Sequence, residues 1–348
     1  QPFSVKGVIS DLSNIPVITA NFSSINAAYS SLAGAIVTGQ IAAKLDPRDI
    51  DIQANGVMSN VAGTVFSNLQ PLIEQDFNWA FDGLLNRENF AITLRTFALE
   101  NRAAQLNLGG EFDSKTNAIQ GKLQASLANI GLLTPDISGN AMLEAIFEQE
   151  SAQAPLKSAI NLTSNRINSS IPWLNELVGN SPSLIASVNR SQDGAISISD
   201  VDVSAQFFKV NGGMSLSPEQ AIERSEFYVK ITDLEELETL KGIDVEGSID
   251  VAVNMSGLLA SPSIRIETGL RQLDVQGFRL QNPVARLTAN NLFTQPNGSI
   301  ALESNTNIGA LTASATFNVN EPSQLKLSEV NVSAGNYSLS GALSAESA

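Results

Sequence analysis

Hydrophobic and polar residues alternate with a period of two along much of this chain. In GSIDVAVNMSG, which begins at Gly247, the apolar residues Ile249, Val251, Val253 and Met255 occupy every second position, and small or polar residues lie between them. This is the pattern of a β-strand with one apolar and one polar face. Similar segments recur through most of the chain. The sequence therefore predicts the all-β fold class.

The alternating segments also repeat at intervals of roughly a hundred residues. Segments that begin at Leu32, Ile137 and Val245 each contain a glycine, an alternating strand, a proline and a second alternation. Self-similarity of this kind is typical of stacked structures in which each unit contacts its neighbours. It predicts one continuous repetitive structure over residues 1–348, with approximate units 1–113, 114–217 and 218–348.

Two kinds of residue are predicted to separate the strands. Pro47, Pro155 and Pro262 are expected between strands, where a missing N–H costs no ladder hydrogen bond. Asn-Gly pairs are expected to form turns, because both residues tolerate positive φ. These pairs begin at Asn55, Asn211 and Asn297.

Helices are predicted to be few and short. The segment Thr232–Gly242 has a capping box formed by Thr232 and Glu235, and Ser170–Gly179 and Asn68–Phe77 have similar patterns. The helix with Trp173 is expected to seal the sheet, with a regulatory plug as the alternative. No long amphipathic helix is predicted to cover the sheet. On the order of forty inward strand residues, at roughly 1.5–3 kcal/mol each, must therefore pack against each other, a partner or an apolar ligand.

Composition excludes several function classes. The net charge of −15 argues against nucleic acid and against anionic membrane surfaces, because both attract Lys and Arg. The chain has no Cys and no His. Disulfides, thiol nucleophiles, the Ser-His-Asp triad and the usual zinc ligands are therefore absent. The sequence predicts a protein that is not an enzyme and has no cofactor or metal.

Two acidic segments are candidate sites. Asp233, Glu235, Glu236 and Glu238 lie opposite the leucines of a predicted helix, so a solvated face is favoured over a calcium site or a glycosidase carboxylate pair. The segment DPRDIDIQANG, from Asp46, resembles a calcium loop but lacks the closing glutamate. A carboxylate-dependent hydrolase remains as the enzymatic alternative.

No membrane-spanning or leader segment is predicted. The chain has no run of eighteen apolar residues, and its start, QPFSVKG, lacks the basic and apolar regions of a signal peptide. It opens on what looks like the end of a strand. We therefore expect it to be a fragment of a longer protein.

The order of these motifs resembles a known family. The run SGLLASPSIRIETGLRQLDVQG, within Gly247–Gly277, follows a DLEEL segment and resembles the TamB family of the AsmA-like bacterial envelope proteins, as do the segment at Leu32 and residues 90–133. The resemblance implies an elongated, curled β-sheet that forms a half-open hydrophobic groove, the β-taco, with a few short helices. It also implies that the full-length protein lies in the periplasm of a Gram-negative bacterium and is anchored in the inner membrane. A TamA-like outer-membrane barrel protein would be the partner, through a part that this sequence need not include.

On this interpretation the protein conducts phospholipids between the two membranes, with acyl chains in the groove and head groups outside. The alternatives are an outer-membrane protein assembly scaffold without lipid transfer and a structural or adhesive β-solenoid. A closed β-helix should have rungs of about twenty residues, which disfavours the solenoid. The apolar strand residues could also form an ordinary sandwich or solenoid core. The predicted groove lining is Ile50, Ile52, Phe90, Ile92, Leu94, Leu106, Leu108, Ile196, Ile198, Val201, Val203, Ile249, Val251, Val253, Met255, Ile264, Ile266, Leu311, Ala313, Ala315, Phe317 and Val319.

Overall fold

The computed structural model describes most of the chain as antiparallel β-strands, which account for 72% of it. The described residues are 3–12, 14–29, 32–59, 62–63, 72, 76–134, 136–237, 244–245, 247–270, 272–275, 278–321 and 324–346. This strand content confirms the predicted all-β class. The sheet is open and does not close on itself. The chain divides into two compact units, unit 1 (residues 1–171) and unit 2 (172–348). The boundary between them coincides with neither of the two boundaries between the predicted repeat units.

Unit 1 is an antiparallel meander in which almost every strand pairs with the next one in sequence. The ladder runs β1-β2-β3-β4-β6-β7-β8-β9-β10-β11, and the short β5 pairs with β3. Its strands are β1 (Phe3–Ser10), β2 (Val17–Tyr29), β3 (Leu32–Leu45), β4 (Asp49–Ser59), β5 (Ala62–Gly63), β6 (Phe77–Asn86), β7 (Ile92–Glu100), β8 (Ala104–Asp113), β9 (Ala118–Leu127), β10 (Ile137–Gln149) and β11 (Leu156–Ser169).

Unit 2 repeats this arrangement. Its ladder runs β12-β13-β14-β15-β17-β18-β20-β21-β22-β23-β24, and β19 pairs with both β16 and β20. Its strands are β12 (Ser183–Arg190), β13 (Ile196–Ser204), β14 (Phe208–Leu216), β15 (Ala221–Ile231), β16 (Asp244–Val245), β17 (Ile249–Leu258), β18 (Ser263–Leu270), β19 (Gln272–Val275), β20 (Phe278–Asn290), β21 (Asn297–Thr306), β22 (Gly309–Glu321), β23 (Gln324–Ala334) and β24 (Tyr337–Glu346).

Helical structure is short where it is described. The helix α1 (Pro172–Val178) confirms the prediction for Ser170–Gly179, with Pro172 in its first turn. The prediction for Thr232–Gly242 is wrong in its described part, which has only a 3₁₀ turn over Leu234–Glu236. The predicted capping box does not form there, because Asp233 precedes the turn with a φ of 55° and its side chain caps nothing. Most of Asn68–Phe77 lies outside the described residues, and Phe77 begins β6.

The three prolines confirm their predicted role, but the Asn-Gly pairs do not. Pro47, Pro155 and Pro262 lie between strands. The Asn-Gly turns are wrong, because all three pairs lie inside strands, in β4, β14 and β21. At Gly56 an added Cβ would overlap the carbonyl oxygen of Thr38 on the neighbouring strand. Close approach of backbone, and not a turn, therefore requires glycine at this position.

Several strands contain β-bulges that correct the alternation. Asp200 and Glu329 have left-handed φ values of 53° and 51°, and the pairing register shifts at both positions. A bulge adds one unpaired residue to its strand. Ile198 and Val201 are three residues apart, so strict alternation would place them on opposite faces. The bulge at Asp200 returns both to the same face.

Candidate functional site

One face of unit 2 is apolar from its first strand to its last. Residues that pair across antiparallel strands lie side by side on the same face of the sheet. From β12, Leu184 pairs with Val203, and the chain of pairs continues to β24 with a single polar member. The full row is Leu184, Val203, Val210, Val229, Val251, Thr268, Ala285, Leu302, Ala313, Val332 and Leu339.

Unit 1 has the same construction. A row that runs from β1 to β11 contains no polar side chain, and the rows beside it are also mainly apolar. We call the face that carries each row the apolar face of its unit, and the opposite one the polar face. The row of unit 1 is Gly7, Ala20, Ile41, Ala54, Phe81, Phe97, Leu108, Leu123, Ala145 and Ile160.

Nearly all of the predicted lining residues lie on these apolar faces. Phe90 differs, because it lies in the turn before β7 with a φ of 56° and is 65% exposed. The others share the apolar face of their unit: Ile50, Ile52, Ile92, Leu94, Leu106 and Leu108 in unit 1, and Ile196, Ile198, Val201, Val203, Ile249, Val251, Val253, Met255, Ile264, Ile266, Leu311, Ala313, Ala315, Phe317 and Val319 in unit 2.

Most of these side chains are half-buried, which is unusual for a sheet face this apolar. Ala315 is the one predicted lining residue that is buried. The chain exposes 21148 Å² of surface. Two separate compact domains of half its mass would together expose only about 16,400 Å². The chain therefore exposes more surface than two compact domains of the same total mass would.

Aromatic side chains on the apolar face of unit 1 lie over glycines of neighbouring strands. A Cβ added at Gly39 would lie 2.7 Å from Cζ2 of Trp79 and 3.1 Å from Cζ of Phe22. The two aromatic rings are tilted by 40° with centroids 5.8 Å apart. Because each ring fills the space above a glycine, large side chains do not have to project from the sheet. The sequence analysis missed this role, although the recurrent glycines inside alternating segments are its signal.

The apolar face of unit 2 is covered at one end of its strands by a small cap. We define the cap as Leu177 of α1 together with Phe207, Leu234 and Leu237. Leu234 is only 1% exposed. Trp173, on the same helix as Leu177, stays 50% exposed. The cap packs against the apolar-face residues Ile231, Ile249 and Leu270.

The polar faces carry exposed ion pairs. In unit 1, Nη1 of Arg95 lies 3.0 Å from Oδ1 of Asp51 and 2.7 Å from Oδ1 of Asp82, and these hydrogen bonds raise the pKa of Arg95. In unit 2, Nη1 of Arg286 lies 3.3 Å from Oε1 of Glu303, which raises the pKa of Arg286. Such pairs contribute little to stability in water. They distinguish the wet side of each sheet from the apolar one.

Two cavities of unit 1 lie on its polar face. One, of about 460 Å³, is lined by Lys6, Asn21, Gln40 and Asn55, which pair in a row across β1 to β4. The other, of about 380 Å³, is lined in part by the row of polar-face residues that contains Gln105. Neither of these two cavities lies on the apolar face.

The acidic segments do not gather into a metal site in the described part of the chain. Oε2 of Glu235 accepts a hydrogen bond from the backbone N–H of Gly247, 3.1 Å away, and backbone hydrogen bonds lower the pKa of Glu235. Glu238 lies outside the described residues. In the Asp46 segment the carboxylates have separate partners, since Asp46 accepts from the backbone of Arg48, and Asp49 accepts from the amide of Asn86.

No protein-family model, curated protein or solved structure matches this chain. Among the described helices, none has the length and apolar character needed to cross a bilayer.

Proposed function

We propose that the apolar faces bind the acyl chains of phospholipids and let them move across the strands. The observation that supports this is the pair of rows that cross units 1 and 2, in which Thr268 is the single polar member and most side chains are only half-buried. A large exposed apolar surface marks a binding site for a partner or an apolar ligand. Hydrocarbon fits a face that carries few hydrogen-bonding groups.

The mechanism is desolvation along a uniform track. Each methylene that leaves water for an apolar surface gains about 0.8 kcal/mol. Neighbouring strands lie about 4.8 Å apart and present similar side chains, so a chain moving from one strand to the next exchanges equivalent contacts. The head group stays in water beyond the ends of the strands. Smooth aliphatic walls favour movement over tight capture.

The resemblance to the TamB family supports a particular setting for this activity. In that setting the full-length protein is anchored in the inner membrane of a Gram-negative bacterium and its β-structure lies in the periplasm. It conducts phospholipids between the inner and outer membranes, and a TamA-like barrel protein is its outer-membrane partner. The setting is part of the proposal and rests on the sequence motifs alone.

A scaffold for assembly of outer-membrane proteins is the second candidate. It is favoured by β24, which has no charged residue from Tyr337 to Ala345. Leu339 and Leu343 are 70% and 64% exposed on this strand. Exposed leucines on an uncharged strand offer an apolar surface to a peptide partner. This activity needs a peptide partner and no lipid.

Site-specific crosslinking to lipid tests the first candidate. Photoreactive residues at Val251 and Phe317, on the apolar face, should label phospholipid in cells or in lipid-loaded protein. The same probes at Asp250 and Thr316, on the polar face, should not. Equal labelling at both pairs, or none at either, contradicts lipid binding by the apolar face.

Val251→Asp provides the matched functional prediction. A charge in the middle of the row should strongly reduce phospholipid labelling at Phe317, because a bound chain would have to desolvate it. The fold should survive, since Val251 is half-exposed and the new carboxylate remains hydrated. Asn254→Asp places the same charge on the polar face of the same strand and should leave labelling unchanged. Unfolding of Val251→Asp in a urea titration would identify the position as packed core.

A further inference from the structure

Two neighbouring turns of unit 2 carry large apolar side chains into solvent. Leu258 ends β17 and Leu259 begins the turn to β18, and they are 54% and 41% exposed. Phe293 lies between β20 and β21 and is 68% exposed. We call these three residues the turn patch. Because β18 pairs with β20, the two turns are adjacent at the same end of the strands.

The turns are held firmly, so the exposure of these side chains is a property of the fold. The backbone N–H of Leu292 donates to the carbonyl of Pro262 at 3.2 Å and joins the two turns. The N–H of Leu259 donates to the carbonyl of Gln220 at 2.9 Å and joins them to the next turn. Pro262 is among the largest fully buried side chains of the described residues. The backbone is thus anchored while the apolar side chains point outward.

The two segments that form the turn patch are free of charge in an otherwise acidic protein, and Glu219 of the adjoining turn and Arg265 of β18 are the nearest charged residues along the contacts described above. Residues 251–264 and 287–302 contain no Asp, Glu, Lys or Arg. Charged residues form 16% of the chain, so about five would be expected in segments of this combined length. Polar but uncharged side chains, including Asn291, Thr294 and Gln295, complete the second turn. The turn patch itself therefore contributes nothing to the net charge of −15.

We propose that the turn patch inserts into the interface of a phospholipid bilayer whose head groups carry no net charge. Protruding turns with Leu and Phe at their tips fit between lipid head groups, whereas a protein partner would need a matching concave surface. Asn, Thr and Gln at the same tips suit the hydrogen-bonding head-group region. Arg265, 64% exposed and only two residues into β18, is placed to meet lipid phosphates. An anionic bilayer is disfavoured because it would repel the rest of the chain.

The bilayer contact also lies where the apolar face ends. Met255 and Ile264 pair with each other on the apolar face, a few residues from the turn tips. A lipid could pass from the bilayer to this face without crossing a charged surface. This route rests on the proposed function, but the bilayer contact itself does not. The two proposals can therefore fail separately.

Vesicle flotation tests the contact with the full chain. The protein should float with phosphatidylcholine vesicles and less with phosphatidylglycerol vesicles. Phe293→Ser and Leu259→Ser should each lower the partition coefficient about tenfold, because each removes an inserted apolar side chain. Leu12→Ser removes a leucine that is 75% exposed beside Asp11 in unit 1, and it should not change the partition coefficient.

A fluorescent variant reports insertion directly. Phe293→Trp should keep vesicle binding, and its emission should shift to shorter wavelength when phosphatidylcholine vesicles are added. Wild type and Phe293→Ser correct for the two native tryptophans. Equal flotation of all variants, or no blue shift, overturns the proposal. So does loss of self-association in Phe293→Ser without vesicles, which would assign the patch to a second copy of the chain.

The crosslinking experiment at Val251 separates this result from the proposed function. Lipid labelling at Val251 without flotation would refute the bilayer contact alone. Flotation without labelling would refute acyl-chain binding on the apolar face and retain the contact.

Discussion

Glycines inside strands determine how closely the backbones and rings of unit 1 approach each other. Gly39 and Gly56 are paired on adjacent strands, and an added Cβ at either would meet atoms of a neighbouring strand. The Asn-Gly dipeptide at Asn55 is a strong local signal for a turn. The signal failed because the requirement for glycine comes from residues far away in sequence. Local pattern alone could not supply that information.

Gly56→Ala is expected to destabilise the protein by about 1–3 kcal/mol, because the new methyl group forces the neighbouring strand to move. Gly269→Ala is the control, since an added Cβ there meets nothing within 4 Å. Its effect should be neutral, or stabilising by about 0.4–1 kcal/mol through the unfolded chain. Urea midpoints of the two variants measure the difference. Equal midpoints would show that the neighbouring strand yields without cost.

At the scale of single elements, alternation predicted the strands well and predicted the cap poorly. The alternating segments that begin at Ile249, Ile264 and Leu311 all lie within strands of the structure. Burial of one face of a strand imposes this period of two on its sequence. The segment at Thr232 instead has leucines with helical spacing. Its described part puts Leu234 and Leu237 into the cap. A spacing set by tertiary packing was thus interpreted as a spacing set by a helix.

The cap should hold α1 and the end of β15 together. Leu234→Ala is expected to cost about 2–5 kcal/mol, because Leu234 is almost completely buried. Leu339→Ala removes the same atoms from a side chain that is 70% exposed and should cost far less. Urea unfolding followed by Trp173 fluorescence would measure both changes. Similar losses for the two variants would mean that the cap is not an independent core.

At the scale of the molecule, the placement of the predicted lining residues follows from one rule. Even or odd position along a strand, together with the pairing between strands, assigns each paired residue to a face of the sheet. A bulge such as the one at Asp200 adds one residue and so exchanges even and odd positions beyond it. The sequence contained the parity but not the pairing partners or the bulges. The common face of Ile196 and Val203 could therefore be determined only from the structure. Phe90 departs from the rule because it lies two residues before β7, outside the paired strand, with a φ of 56°.

Uncovered apolar faces and a charge of −15 should make self-association depend on salt. The Debye length falls from about 30 Å at 0.01 M to about 8 Å at 0.15 M salt, so repulsion between copies is screened while apolar attraction remains. Light scattering should therefore show more association at the higher salt. Leu339→Lys with Leu343→Lys should reduce it, because the two substitutions replace exposed leucines of β24 with charged side chains.

Ile185→Lys is the control for this measurement, because Ile185 is 52% exposed but lies on the polar face of β12. It should associate like the wild type. Association that is insensitive to salt, or reduced equally by both sets of substitutions, would contradict a role for the exposed leucines of β24.

The bulges at Asp200 and Glu329 have an evolutionary consequence. Where a strand takes up an unpaired residue through a local left-handed kink, gain or loss of one codon does not invert the remainder of that strand. The gene for such a sheet can therefore gain or lose single codons while the encoded strands keep their hydrophobic residues on one face. Homologues should differ most often by one-residue insertions and deletions at these kinks, with hydrophobic parity restored immediately beyond them.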